Sequence, residues 1–220
     1  MAVPFCVAKV NKCLCAKRIN IYLPFLPFPH ILSLGGAFML VQRRYNRENA
    51  VKYAETWAFA RNPLFYNYTG QGGDCTNFVS QAVLAGSCQM NFTPTFGWYY
   101  IDSETRTASW TGVEYFYNFI TGNRGVGPYG EEVSESEVEV GDVVQLERDG
   151  DFYHTLFVSG FGDDGGILVA AHSDDAFDRP LSSYNYGSAR FIHILGVRFE
   201  IEFNSSFCFE RLLSGEGLPL

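Results

Sequence analysis

The chain has 220 residues, 47% hydrophobic and 16% aromatic, which suits one domain with short appendages and excludes disorder for the bulk of the chain. The formal net charge of −8 is unevenly spread: residues 1–44 hold six Lys/Arg and no acid, and the rest hold ten Lys/Arg against 24 Asp/Glu. A body that acidic is repelled by phosphate backbones, so nucleic acid is excluded as its partner.

Residues 1–44 read as a separate extension. A basic start is followed by an apolar run from Ile19 to Val41 and a Gly35-Gly36-Ala37 stretch like a signal cleavage site. Pro24, Pro27 and Pro29 interrupt the run and argue against a spanning helix and stable membrane insertion. The segment fits a signal, an anchor, or a start placed too early with the functional chain beginning near Met39. Three of the six cysteines (Cys6, Cys13, Cys15) crowd into it, and Cys13-Leu14-Cys15 has no zinc-like partner pair downstream. The cysteines as a set fit thiols in a reducing compartment better than a disulfide framework. A cytoplasmic location follows, or a secreted one if residues 1–44 act as a signal.

From Tyr45 the chain acquires pattern. Asn46 is an N-cap candidate for a packing helix through Ala60, with Ala50, Val51, Ala54, Trp57 and Ala58 on one face and Asn62-Pro63 as its stop. A glycine turn then delivers Gly72-Gly73-Asp74-Cys75. Asp74 reads as the N-cap of a helix with Phe78, Val79, Ala82 and Val83 on its apolar face and Gly86 at its end. Phe92 to Tyr100 is an aromatic loop from which Trp98 and Tyr99, with Trp110, are candidate walls of a substrate cleft, packing against the domain being the alternative. Thr111-Gly112-Val113-Glu114 reads as a capping box for a helix ended by Gly122, and a Gly/Pro-rich loop follows.

The second half changes period. Gly141–Leu146 reads as a strand, Arg148-Asp149-Gly150-Asp151 as a turn, and His154–Gly160 as the return strand. Asp163–Gly166 turns into Ile167–His172, and a last run covers Arg190–Phe199. Helices first and an antiparallel meander second make the fold class α+β.

The chemistry gathers at Cys75. A cysteine in the first turn of a helix sits at the positive end of the macrodipole, which favours the thiolate and offers backbone N–H groups to an oxyanion. Taken alone, such a cysteine is more often a small core residue. It needs a histidine base, and the sequence has four. His30 lies in the extension, and His193, among Phe191, Ile192 and Ile194, reads as a structural histidine. His154 opens one strand and His172 closes its expected neighbour, an arrangement in which His172 orients His154; Asp174 is the rival orienter. Metal binding by the two histidines with Asp174 or Asp175 lacks a third ligand at a regular offset.

Tyr45-Asn46-Arg47, Asn62-Pro63, Gly73-Asp74-Cys75-Thr76-Asn77-Phe78-Val79-Ser80-Gln81, Ala85-Gly86, Gly141-Asp142-Val143, Tyr153-His154-Thr155 and Ala171-His172-Ser173 together resemble the putative amidase domain family of bacteria. That family is grouped with the papain-like cysteine hydrolases, beside NlpC-type and CHAP-like enzymes. The resemblance covers residues 45–198 and leaves 199–220 as a C-terminal tail. It implies a papain-like fold, with helices packed on a C-terminal antiparallel sheet, and a triad of Cys75, His154 and His172. It also implies hydrolysis of an amide or peptide bond, with peptidoglycan stem peptides as the leading substrate, through a thioacyl intermediate and without metal or organic cofactor. An acyltransferase or transglutaminase-like enzyme would use the same residues, and a noncatalytic binding domain could keep the same fold.

Overall fold

The computed structural model describes residues 40–200 and 205–218. The three readings of the N-terminal extension concern residues that lie mostly outside that range. Its last residues do not: Val41–Arg43 form strand β1, paired with Val197–Phe199.

Helix α1 spans Arg47–Trp57 and begins as expected, the Asn46 side chain accepting from the Asn49 N–H. Helix α2, Asp74–Ser87, departs from expectation at both ends. Its cap is Gly73, at φ 95°, and Asp74 is its first helical residue. Gly86 lies inside the helix, which ends at Cys88 in a left-handed conformation. Contact rather than termination accounts for Gly86: a Cβ there would meet the Tyr45 ring at 2.2 Å and the Asn46 carbonyl at 2.8 Å. Every residue of α2 is buried, so it is the central helix of the domain and not an amphipathic one lying on its surface.

Helix α4 (Val113–Gly122) is the helix expected after Thr111 and ends at Gly122 as expected, and a short helix α3 (Ala108–Thr111) precedes it. The expected capping box does not form, because the N-cap of α4 is Gly112, which has no side chain; Glu114 pairs instead with Arg190, which also donates to Gln145. The remaining strands are β2 (Gly127–Val133), β3 (Val143–Arg148), β4 (Asp151–Phe161), β5 (Ile167–Ala171), β6 (Ala176–Pro180) and β7 (Ser188–Phe199). Their order is β1-β7-β3-β4-β5-β6, with β2 also on β7 and every pairing antiparallel. The β3–β4 hairpin closes through Asp149 and Gly150, both at positive φ as a type I′ turn requires. β2 falls where composition suggests a loop, its seven residues being held by pairing along β7.

The sheet buries both faces. On one, Phe157, Ala170 and Ile192 meet Tyr53, Phe78, Trp98, Trp110 and Phe116 from the helices and the aromatic loop. On the other, Leu146, Leu156, Val158 and Val169 are covered by Val138, Leu181 and Tyr184. The segment expected as a tail contributes to the first core: helix α5, Ser205–Ser214, buries Cys208 and Leu212, and the Leu212 carbonyl accepts from Asn62.

Cys88 and Cys208 are joined by a disulfide. This corrects the expectation of free thiols for those two residues; Cys6, Cys13 and Cys15 lie outside the described residues. The bond closes a loop across 120 positions of sequence, so reduction or Cys208→Ser should lower unfolding free energy by about 3–5 kcal/mol. Urea denaturation with and without reductant checks it, and an unchanged midpoint would mean the bond carries no stability.

Candidate active site

The approach to Cys75 is set by the Gly73 backbone. Besides its positive φ, a side chain at Gly73 would come within 2.9 Å of the Thr111 carbonyl, so only glycine brings the turn this close to α3. The first intrahelical bond of α2 runs from the Asn77 N–H to the Gly73 carbonyl at 2.9 Å. The N–H groups of Asp74, Cys75 and Thr76 therefore precede the helical ladder. The turn is fastened to the sheet by the Thr76 and Thr155 hydroxyls, 2.9 Å apart and buried, with Gln145 donating to the Thr155 hydroxyl.

Cys75 is 5% exposed. Burial raises its thiol pKa above the ordinary range, and hydrogen bonds from the Thr155 backbone and from Thr76, which favour the thiolate, do not overcome it. Burial thus opposes the thiolate that sequence position suggests. His154 is displaced in the complementary direction: burial pushes its pKa down to about 4, the Asp174 charge opposing this and Arg179 adding to it. At neutral pH the pair rests as thiol and neutral imidazole, the state in which a histidine can act as a general base.

Both residues line one cavity of about 570 Å³, together with Gly72, Gly73, Asp174, Tyr184 and Asn185. His154 is the fourth residue of β4 rather than its first, opposite Leu146 of β3. β5 pairs with β4 only from Phe157 onward, so no strand covers that edge of β4 beside His154 and Thr155. The rings of Tyr153 and Tyr184 both neighbour the imidazole, each at 6.0 Å.

His172 is placed differently from expectation. Its Nδ1 faces Asp74 Oδ2 at 3.1 Å and its Nε2 faces the Trp57 carbonyl at 3.0 Å, with the ring stacked on Phe78. Each ring nitrogen is directed at an oxygen acceptor, so none is left to orient His154. His172 braces the helix that carries Cys75. Its partner Asp74 is fully buried and also accepts from the Tyr68 N–H, Thr69 Oγ1 and Asn77 Nδ2, with Arg61 3.2 Å away. Desolvation opposes the Asp74 charge, but the His172 and backbone hydrogen bonds prevail and hold its carboxyl down at about 2. The alternative orienter, Asp174, does line the cavity with His154.

The expected cleft walls are corrected. Trp98 and Trp110 have no exposed surface and donate their indole N–H groups to Ser80 Oγ and Asn77 Oδ1; they pack the core beside α2. Tyr99 lies against Phe92, and none of the three lines the Cys75 cavity. His193 is structural, as its sequence surroundings suggest: its Nδ1 bonds buried Asp142, to which Arg47 also donates. Among the described residues no three His, Cys, Asp or Glu side chains are grouped to hold a metal ion, and no helix is long and apolar enough to cross a membrane.

The family model of the putative amidase domain matches residues 44–195. The chain belongs to that family. Membership supports an amidase-type hydrolase and spans the elements that build the cavity, from α1 to most of β7. The chain is also similar to the uncharacterized protein YhbB of Bacillus subtilis (strain 168), 33% identical over 152 residues. That match takes in 66% of this chain and 45% of YhbB, so this chain spans about half the length of its relative. No solved structure matches it.

Sequence position marks Asp74 as a cap alone and does not reveal its contact with His172 or the Thr76–Thr155 contact. Thr76 and Thr155 stand beside the nucleophile and base candidates within the motifs themselves, and that adjacency was the available signal.

Proposed function

We propose that this member of the family is a cysteine-dependent amidase of papain-like layout, with Cys75 as nucleophile, His154 as base and Asp174 as the group that supports the imidazole. What carries the proposal is one cavity lined by a thiol at a helix N-terminus, a histidine on β4 whose pKa lies near 4, and an aspartate. His154 takes the proton from Cys75 as sulfur attacks the amide carbonyl, and the N–H groups of the first turn of α2 receive the developing oxyanion. The imidazolium then protonates the leaving amine. Water, deprotonated by the same ring, releases the acid and restores the thiol.

The Cys88–Cys208 disulfide supports work in an oxidising compartment, which makes cell-wall stem peptides the favoured substrates. Muropeptides and a peptide library incubated with wild type and with Cys75→Ala, then compared by mass spectrometry, test this. Products from wild type alone are expected; identical profiles would overturn it.

A further inference from the structure

Arg148 and Arg179 line the Cys75 cavity from β3 and β6. Arg47, Arg61 and Arg190 each hold a carboxylate, whereas among the described residues neither Arg148 nor Arg179 has a carboxylate within ion-pair distance. Both are nonetheless fixed in place. Arg148 lies over the Tyr153 ring, 4.8 Å from its centroid, and donates to Tyr153 Oη and the Asn185 carbonyl. Arg179 lies 4.1 Å over the Tyr184 ring and donates through Nε to Ser183 Oγ. Tyr153 and Tyr184 are the two rings that neighbour His154. These contacts link Arg148, Tyr153, His154, Tyr184 and Arg179 in one group of neighbours around the candidate base.

In a protein of net charge −8, two preorganised guanidinium groups without acidic partners, in the cavity of the candidate base, form a local positive field in a surface of the opposite sign. The one carboxylate lining the cavity, Asp174, bears on His154. We propose that Arg148 and Arg179 form a carboxylate-recognition subsite, and that the substrate is an amide carrying a carboxylate close to the scissile bond. The inference rests on the assignment of Cys75 as nucleophile and deepens it by naming the substrate class. Planar guanidinium donors favour carboxylates through charge-assisted hydrogen bonds, and orienting the substrate through that group presents its carbonyl to sulfur.

The test uses two alkylating probes of similar size and opposite character, iodoacetate and neutral iodoacetamide. In both, sulfur displaces iodide from carbon, and the thiol proton passes to His154 or solvent. The rate ratio of iodoacetate to iodoacetamide at Cys75, resolved by peptide mass spectrometry, is compared with the ratio for glutathione at the same pH and salt. A ratio about ten-fold above that of glutathione is expected. It should fall within about two-fold of glutathione in Arg148→Gln/Arg179→Gln and decline as ionic strength rises. Arg148→Lys/Arg179→Lys, which retains both charges, should keep a large part of the preference.

A wild-type ratio equal to that of glutathione, or one indifferent to salt, overturns the subsite while leaving Cys75 as nucleophile. The salt series decides even if the glutamine variant does not fold. Native Cys75 inert to both reagents overturns the nucleophile assignment and the subsite with it.

Discussion

Cys75→Ala is expected to abolish amide turnover, and His154→Ala to lower kcat/KM by about 10³, both without loss of folded protein. The pH profile separates this mechanism from that of a preformed ion pair. With His154 near 4 and the Cys75 thiol above its ordinary range, kcat/KM should rise through about pH 4 as the imidazole loses its proton and becomes able to accept one from sulfur. Thiolate absorbance near 240 nm, taken as the difference between wild type and Cys75→Ala, should be absent at neutral pH and appear only in alkali. Strong thiolate absorbance at pH 6 would mean that sulfur has already transferred its proton to histidine, and the general-base step proposed here would be wrong.

The second large effect concerns Asp74, whose charge is held in the buried network of His172, Arg61 and the Tyr68 N–H. Asp74→Asn should cost about 3 kcal/mol at neutral pH, because it leaves buried donors facing an amide. Its folded pKa of about 2 lies below the unfolded value. The stability that Asp74 contributes is therefore complete above about pH 4 and is lost as pH falls through 2. His154, whose folded pKa of about 4 is likewise below its unfolded value, acts in a higher window: the unfolded chain binds its proton first, so stability falls from about pH 6.5 toward 4. Urea midpoints measured between pH 2 and 7 should show both declines. Asp74→Asn should remove the lower and His154→Ala the upper. A midpoint in Asp74→Asn equal to wild type at pH 7 would show that the network contributes nothing net.

How far the sequence reaches toward this site follows from the range of each signal. The Asn46 cap, the glycine turn into Cys75 and the Asp149-Gly150 hairpin depend on residues within a few positions of one another, and local chemistry locates all three. Gly86 illustrates the limit: a glycine near a helix end suggests a stop, while its cause is a tyrosine ring 41 positions earlier. Trp98 looks like a cleft residue because a dense aromatic loop has no period, and only tertiary contact places it and Trp110 beside α2. His172 looks like an orienter because Ala171 and Phe157 belong to adjacent strands, yet a ring one position past the end of β5 turns toward α2. Arg148 and Arg179 carried no signal in sequence, since β6 was not legible and their shared cavity exists only after β3, β4 and β6 are assembled.

The central claim is that Cys75 sulfur becomes covalently acylated with His154 as its base, and intact-protein mass spectrometry tests it most directly. Wild type mixed with a 4-nitrophenyl acyl ester and quenched within seconds should carry one acyl group, mapped to Cys75 and lost again on standing. Cys75→Ala should carry none there, and His154→Ala should acylate far more slowly. Acylation at Cys75 that proceeds equally well without His154, or a wild-type protein that never gains the acyl mass, would contradict the account.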